Sequence, residues 1–185
     1  MKLTNNDILR IKQQDERFLI QLYNDAYPLL MSVAVRYKNN KEEQLTAVHN
    51  TFLKMLRSID QFRLNSSFEA WLVRILRNEL IDEFRRNHKQ SAIQFSELND
   101  RIAETAFDFT QLENTAPTQL LMLINELPAA TKVVFNLYAI DEFTIKQISE
   151  ALDISLETVK WHLKMARKTL RSRISTLKSN QNEIE

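Results

Sequence analysis

The stretch TIKQISEALDISLETVKWHLKMARKTLRSR, residues 144–173, decides the fold of the C-terminal part of the chain. Thr144 and Gln147 have the spacing of a capping box, which predicts the start of a helix. Asp153 follows that helix, and aspartate tolerates a left-handed backbone conformation better than most residues do. Ser155 then has the position of an N-cap for a further helix. The stretch therefore predicts a helix, a tight turn and another helix.

Apolar side chains recur at helical spacing on both sides of this turn. In the first helix they are Ile145, Ile148 and Leu152, and in the second they are Val159, Leu163, Ala166 and Leu170. Two helices joined by a short turn have the geometry of a helix-turn-helix, whose second helix enters the major groove of DNA. We therefore expect this part of the chain to bind DNA.

The face of the second helix opposite its apolar stripe is basic, since residues 155–178 hold seven Lys and Arg against one Glu. The first turn of such a helix reaches base edges, and cations further along meet phosphates. Base contacts are expected from Ser155, Glu157, Thr158, Lys160 and Trp161. Phosphate contacts are expected from Lys164, Arg167 and Lys168. The alternative interpretation is a solvated basic face on a surface helix.

The composition of the 185 residues favours an all-α protein and argues against several kinds of site. There is no Gly, which excludes glycine-rich phosphate loops and dinucleotide-binding turns. There is no Cys, and the three His lack metal-ligand spacing, so we expect neither disulfides nor a metal site. No nucleophile–base pair is visible, so we expect no enzymatic activity and no cofactor.

Two further features concern the location of the protein. No apolar run is long enough to span a bilayer, and the N-terminus, MKLTNNDILRIKQ, lacks the apolar core of a signal peptide. We therefore expect a cytoplasmic protein that has no membrane partner.

Charge is distributed unevenly along a chain whose net charge is only +1. Residues 1–94 hold 15 basic and 11 acidic side chains, residues 95–116 hold 1 and 5, and residues 117–185 hold 9 and 8. We predict two small helical domains, at 1–94 and 117–178, joined by an acidic linker at 95–116 and followed by a tail at 179–185. The second domain contains the helix-turn-helix.

The first domain is predicted to consist of several helices. One extends over residues 28–38, with Pro28 in its first turn, where proline is tolerated. Another extends over residues 43–58 and has an apolar face at helical spacing. Ser66 and Glu69 have capping-box spacing, which predicts that the next helix starts there.

That next helix carries a mixed stripe within SSFEAWLVRILRNELIDEFRRNH, residues 66–88. Trp71, Ile75, Asn78 and Asp82 fall on one helix face. Arginines lie on both sides of this stripe: Arg74, Arg77, Arg85 and Arg86. An aromatic ring, an amide and a carboxylate thus share one stripe between cationic side chains, which an ordinary amphipathic helix does not require.

Together, the two parts of the chain resemble a bacterial RNA polymerase sigma factor of the sigma-70 family, in the small two-domain extracytoplasmic-function (ECF) group. The resemblance extends from Phe18 to Ile174. The family's promoter-melting pattern is matched by Phe68, Trp71, Leu72, Ile75, Arg77, Asn78, Ile81, Asp82 and Arg85. The Glu126-Leu127-Pro128 element, then Val134-Phe135 and the helix-turn-helix, resembles the family's C-terminal domain, which recognises the minus-thirty-five promoter element.

By this resemblance, the mixed stripe would help to melt promoter DNA. Melting extrudes a base and holds an unstacked strand, which takes aromatic surfaces, amides and arginines. The resemblance places a flipped minus-ten base near Phe62, Asn65, Ser66, Ser67 and Phe68, and Arg63 in the same loop is expected to contact the minus-ten DNA. Contacts to the DNA backbone are expected from Arg74, Arg77, Arg85 and Arg86. Trp71 fits a core position as well as a stacking platform, Asp82 fits an arginine's partner, and the role of Asn78 stays open.

The same resemblance implies that the helix at 43–58 contacts the clamp of RNA polymerase. Most members of the family show an Asp and then Gln-Glu before an aromatic residue. Here the matching positions are Thr46, His49 and Asn50, before Phe52, so two carboxylates are replaced by neutral side chains. Such changes alter charge pairs at an interface. The residues expected to contact polymerase are Ala47, His49, Asn50 and Leu53.

The resemblance implies a transcription initiation factor without enzymatic activity. It would bind core RNA polymerase, direct it to specific promoters and promote DNA melting, and its partners would include promoter DNA and an anti-sigma protein. One alternative is a free-standing helix-turn-helix regulator that binds DNA without polymerase. The other is a sigma-like decoy that occupies polymerase or an anti-sigma protein without opening promoters.

Overall fold

The computed structural model describes residues 2–91 and 117–182, with side chains at 2–87 and 118–176. The protein is all-α, as predicted. Its helices are α1 (Asn5–Lys12), α2 (Glu16–Tyr37), α3 (Lys41–Ser58), a short 3-10 helix (Ile59–Gln61), α4 (Phe68–Ser91), α5 (Pro117–Asn125), α6 (Ala129–Ala139), α7 (Ile145–Leu152) and α8 (Leu156–Asn182). The predicted acidic linker lies outside the described residues. Within the described segments, no helix combines the length and the apolar content that a membrane crossing requires.

The chain forms two compact units, Met1–Asp82 and Glu83–Glu185. In the first unit, α2 and α3 are joined by a short turn and pack side by side as an antiparallel hairpin. Asn40 caps α3, because its side-chain oxygen accepts a hydrogen bond from the amide of Glu43 at 2.8 Å. The buried side chains of this unit include Leu22, Leu30, Val48, Met55, Leu72 and Leu76.

The predicted helix start at Pro28 is wrong, since α2 continues through this proline from Glu16 to Tyr37. Proline has no amide hydrogen, so the carbonyl of Asn24, four residues earlier, loses its helical donor. Both residues are exposed, which leaves that carbonyl accessible to water. The proline therefore costs α2 one hydrogen bond on its solvent side without ending the helix.

The predicted cap of α4 is shifted by one residue. The amide of Ala70 donates to Oγ of Ser67 at 3.2 Å, so Ser67 has the role that the capping-box spacing assigned to Ser66. The hydroxyl of Ser66 instead donates to the carbonyl oxygen of Arg63 at 2.7 Å. Two adjacent serines offer two alternative caps, and spacing alone does not choose between them.

The second unit packs α5, α6 and α7 against α8. Its core joins apolar side chains from α5, α6, α8 and the turn between α5 and α6: Leu123, Ile124, Leu127, Phe135, Ala166, Leu170 and Ile174. Pro128 precedes α6 as its N-cap. Glu126 and Arg173 form an ion pair at 2.9 Å, which adds a polar link across the edge of this core.

Candidate nucleic-acid interface

The turn between α7 and α8 has the backbone geometry that the sequence predicted. Asp153 adopts the left-handed conformation, with φ 57° and ψ 48°. Its amide donates to the carbonyl oxygen of Ser149, and Oγ of Ser149 in turn donates to the carbonyl oxygen of Ile154 at 2.6 Å. The predicted capping box between Thr144 and Gln147 is confirmed at the start of α7. Local hydrogen bonds therefore fix where α8 begins.

The first turn of α8 is capped by Ser155. The amide of Thr158 donates to Oγ of Ser155 at 3.0 Å, and the two hydroxyl oxygens lie 3.0 Å apart. These hydroxyls are thus engaged with each other at the helix start. In this arrangement Ser155 and Thr158 orient the N-terminus of α8, while other side chains of the first turn extend outward.

The inner face of α8 is largely buried, although Leu163, which the sequence placed on this stripe, is half-buried. Val159, Ala166 and Leu170 are buried, as the predicted stripe requires. His162 lies on the same side, 2 % exposed, and its Nδ1 is 2.9 Å from the hydroxyl oxygen of Thr131 on α6. A polar contact within the core therefore complements the apolar packing that orients α8.

The outer face of α8 carries the cationic side chains that the sequence assigned to DNA. Glu157, Lys164 and Lys168 are exposed, and the side chains of Lys160, Trp161 and Arg167 are half-buried. Leu156, the first residue of α8, is 43 % exposed and was not among the DNA contacts predicted from the sequence. Its place in the first turn of α8 could have marked it as a candidate contact, because the first turn of such a helix meets the major groove.

The aromatic residues assigned to the melting segment form a cluster in the interior of the first unit. The ring of Phe62 lies 5.5 Å from Phe68 and 5.2 Å from Trp71, and Phe68 and Trp71 are 5.9 Å apart. All three side chains are buried, with exposures of 9 %, 0 % and 7 %. The sequence left open whether Trp71 lies in the core or on the surface as a stacking platform. In the structure Trp71 lies in the core.

The loop between Phe62 and Phe68 forms the outer boundary of this cluster. Its residues Arg63 to Ser67 are all exposed. The amide of Ser66 donates to the carbonyl oxygen of Arg63 at 2.8 Å, which closes a four-residue turn with Leu64 and Asn65 at its centre. Leu64 is 41 % exposed, and the sequence reading gave this leucine no role. An apolar side chain within an otherwise polar loop was the signal for it.

The arginines predicted to follow the DNA backbone differ in exposure along α4. Arg74 and Arg86 are exposed, whereas Arg77 and Arg85 are half-buried. Asn78, four residues after Arg74, is also exposed and therefore shares its helix face. The exposed face of α4 thus carries a guanidinium group beside an amide.

The residues predicted to contact polymerase divide into two groups. His49, Asn50 and Leu53 are exposed on α3, and Thr46 is exposed on the same helix. Ala47 is 8 % exposed and contributes to packing in this structure.

Aromatic residues from α2 lie beside this surface of α3. The ring of Tyr23 is 5.8 Å from the ring of His49 and 5.1 Å from that of Phe52. Burial raises the pKa of the Tyr23 hydroxyl, and Tyr27 adds to the shift. A tyrosine phenol is neutral at physiological pH, and the raised pKa of Tyr23 strengthens that preference, so α2 contributes an uncharged aromatic side chain next to the exposed face of α3.

Metal binding has no support among the described residues, where no group of three or more His, Cys, Asp or Glu side chains is placed to hold an ion. The side chains at the candidate interface are mostly cationic, amide, hydroxyl, aromatic and apolar, and Glu157 adds one exposed carboxylate on α8. Such groups bind phosphates and bases without a cofactor.

Both units match known protein families. The sigma-70 region 2 model matches residues 22–90, and the sigma-70 region 4 model matches residues 118–170. The ECF RNA polymerase sigma factor SigW of Bacillus subtilis (strain 168) is 26% identical over 172 residues, which are 86% of this chain and 88% of the relative. The RNA polymerase sigma factor YlaC of the same organism is 27% identical over 165 residues, 88% of this chain and 94% of the relative.

Solved structures also resemble the chain. The sigma factor RpoE from Bartonella quintana, in a co-crystal structure with the anti-sigma factor NepR, has 20% sequence identity and a TM-score of 0.46. The alignment covers 82% of this chain and 93% of that chain.

Proposed function

Since the chain belongs to the sigma-70 family of RNA polymerase sigma factors, in its ECF group, we infer that it is a transcription initiation factor that binds core RNA polymerase and directs it to specific promoters. The observation that carries this inference is the presence of both sigma regions, 2 and 4, in one chain. Sigma factors are initiation factors and have no catalytic activity of their own. The presence of region 2 disfavours a free-standing regulator, which has no need of it.

We assign recognition of the minus-thirty-five element to α8. Support comes from its capped first turn and from the exposed Glu157, Lys164 and Lys168 on the face opposite the core. In this assignment Lys160 and Trp161 reach base edges, while Lys164, Arg167 and Lys168 bind phosphates. The hydroxyls of Ser155 and Thr158 hold the helix start in place.

Recognition and melting of the minus-ten element is assigned to the loop Arg63–Ser67 and to α4. The exposed face of α4 offers Arg74 for phosphates and Asn78 for base edges, and Arg86 is exposed further along the same helix. The buried rings of Phe62, Phe68 and Trp71 support the loop from below. Arg63, Asn65, Ser66 and Ser67 are the exposed polar residues of the loop, and Arg77 and Arg85 complete the set of cations.

The surface proposed to bind polymerase extends from α3 onto α2. The rings of Tyr23 on α2 and His49 on α3 are 5.8 Å apart, which sets the register of this antiparallel hairpin. In that register Ile20 on α2 lies at about the same level as Leu53 on α3. Ile20 and Leu53 are 63 % and 49 % exposed. Exposed apolar side chains at one level of a surface hairpin are candidates for an interaction site. With Asn50, they form a surface suited to an apolar and neutral partner face.

The protein acts in the cytoplasm in this proposal, because its polymerase and its promoters are there. An anti-sigma partner is expected on the basis of the family resemblance alone. It would inhibit the protein by covering one of the surfaces described above.

The decisive experiment measures promoter opening. The purified full-length chain is mixed with core RNA polymerase from its own organism and with the DNA upstream of its own gene, and unpaired thymines are detected with permanganate. We expect a bubble in the minus-ten region that requires both the chain and core polymerase. The matched control is Asn78→Asp with Arg74→Ala, which should retain core binding and lose the bubble.

Two other outcomes would support the alternatives. Core binding without any bubble would identify a sigma-like decoy that occupies polymerase. Protection of a DNA site by the chain alone, with no binding to core polymerase, would identify a free-standing regulator. Both outcomes contradict the proposed function.

A further inference from the structure

An ion pair joins the helix proposed to bind polymerase to the helix proposed to melt DNA. Nζ of Lys54 on α3 pairs with Oε1 of Glu79 on α4. The Glu79 side chain is 17 % exposed and the Lys54 side chain is 47 % exposed, so the carboxylate is the more buried member of the pair. A carboxylate with so little access to water depends on its cationic partner. Lys54 therefore holds one particular position of α4 against α3.

Each member of the pair adjoins residues that the proposed function uses. On α3, Lys54 follows the exposed Leu53 and lies one helical turn after the exposed Asn50, so it borders the surface proposed to bind polymerase. On α4, Glu79 follows the exposed Asn78. Successive residues of a helix are about 100° apart around its axis. Any rotation of α4 that moves Glu79 away from Lys54 therefore moves Asn78 by the same angle.

The ion pair adds direction to packing that is apolar on the inner face of α4. Buried leucines hold that face in the first unit: Leu72, Leu76 and Leu80. Apolar contacts of this kind are not directional. A charge-assisted contact has a defined geometry, and a partly buried one is screened little by salt. The Lys54–Glu79 pair thus restrains the rotation of α4 about its axis more sharply than apolar packing alone.

We propose that Lys54 and Glu79 are positioning residues for promoter melting, whose ion pair sets where Arg74 and Asn78 stand once α3 is bound to polymerase. This inference rests on the proposed function. Neither member of the pair contacts DNA in this proposal, and both act through the exposed face of α4. A binding site that uses several side chains at once needs each of them within a fraction of an ångström and a few tens of degrees of its working position. Loss of the pair should therefore impair melting without preventing polymerase binding.

The test uses holoenzyme assembled from core polymerase and a saturating amount of the full-length chain. The opening rate of a duplex promoter is measured by permanganate reactivity, and RNA synthesis is measured on the same promoter with a mismatched, already unpaired minus-ten region. For Glu79→Gln, which keeps the shape of the side chain and removes its charge, we expect opening of the duplex to be about tenfold slower. RNA synthesis from the unpaired promoter and the affinity for core polymerase should change little, because neither depends on melting.

Charge reversal provides a second and independent readout. Lys54→Glu and Glu79→Lys each place two like charges together and should slow opening more than Glu79→Gln does. The double variant Lys54→Glu with Glu79→Lys restores an ion pair of opposite orientation and should recover most of the opening rate. Additive losses in the double variant would contradict the inference.

The chain offers a matched control for Lys54→Met, which removes the other charge of the pair. Lys12 has a side-chain exposure of 48 %, and its ion pair with Asp60 joins α1 to the 3-10 helix of the same unit. Lys12→Met should leave the opening rate unchanged, whereas Lys54→Met should slow it as Glu79→Gln does. Equal opening rates in the two lysine variants would count against a special role for Lys54.

The remaining outcomes separate this inference from the function on which it rests. An unchanged opening rate in Glu79→Gln would overturn the inference and leave the proposed function intact. An equal loss of activity on the duplex and the unpaired promoter would also overturn it, since that result indicates a role in folding alone. Failure of the unaltered chain to open the duplex promoter would refute the proposed function, and this inference with it.

Discussion

Nδ1 of His162 on α8 lies 2.9 Å from the hydroxyl oxygen of Thr131 on α6, and both side chains are at least 98 % buried. The contact joins α8, the helix proposed to recognise DNA, to α6. A buried polar pair of this kind has a defined geometry, whereas apolar packing tolerates small rotations. The pair therefore helps to set the orientation in which α8 presents its outer face.

Replacing Thr131 by valine should lower the stability of the second unit. The change preserves shape but takes the hydroxyl away from a buried imidazole nitrogen, which costs about 1–3 kcal/mol. Urea unfolding measures this, with Thr118→Val on the exposed start of α5 as the control. Equal stability of the two variants would show that the Thr131–His162 contact contributes nothing.

Two kinds of substitution on α8 should have different effects on DNA binding. Lys160→Ala or Trp161→Ala should change which minus-thirty-five sequences are preferred. Lys164→Ala should weaken binding to all sequences alike and reduce the slope of log affinity against log salt by about 1, because one phosphate contact is lost. Competition among promoter libraries at two salt concentrations separates the two effects. A changed preference in Lys164→Ala would contradict its assignment to phosphate.

Polymerase binding should depend on apolar contact more than on charge. Leu53→Asp should weaken core binding by at least about tenfold, since it places a carboxylate at the centre of the proposed surface. Leu9→Asp makes the same change at an exposed leucine outside that surface. For the unaltered chain we expect the affinity, measured by fluorescence anisotropy, to vary little with ionic strength. A steep salt dependence would indicate that charge pairs dominate instead.

The turn at Asp153 should be improved by glycine. The left-handed conformation, with φ 57°, carries a steric cost for any residue that has a Cβ atom. Asp153→Gly should therefore stabilise the second unit by about 1 kcal/mol. Glu150→Gly, in the interior of α7, should destabilise it by a similar amount, about 1 kcal/mol. Thermal unfolding tests both, and a loss of stability in Asp153→Gly would show that the aspartate side chain has another role there.

Acid should weaken the start of α2 through Asp15. The amide of Phe18 donates to Oδ1 of Asp15, and Nε of Arg10 donates to Oδ2 at 2.9 Å. Both hydrogen bonds lower the pKa of the Asp15 carboxyl from its usual 3.8. A lowered folded-state pKa means that the carboxylate stabilises the fold above about pH 4 and that this contribution is lost as the pH falls below it. Asp15→Asn should flatten the acid limb of the stability curve. An unchanged limb would contradict this.

Local signals predicted the second unit well. The capping box at Thr144, the left-handed Asp153 and the cap at Ser155 are each encoded within three or four neighbouring residues, so the sequence contains their causes. The continuous α2 was not predicted, because the cost of Pro28 depends on which side of the helix faces water. That side is determined by packing against α3, which lies outside the local sequence.

The candidate sites were predicted less completely for a related reason. Helical spacing places Trp71 on a face but does not reveal whether another element covers that face. Here Phe62 and Phe68 surround it. The exposure of Leu64 likewise depends on a turn whose closing hydrogen bond joins Arg63 and Ser66, which spacing does not reveal. Spacing identified the segment, and packing distinguishes which of its side chains are accessible.

The lack of glycine has a consequence for the unfolded chain as well as for its turns. Glycine gives an unfolded backbone more accessible conformations than any other residue, so a chain without it has less conformational entropy to lose on folding. Units of this size bury a limited fraction of their surface and are only marginally stable. The lack of glycine also has a local cost, because positive φ values are adopted by Gln14, Glu142 and Asp153. The steric cost at these three residues is offset by the smaller loss of conformational entropy on folding along the rest of the chain.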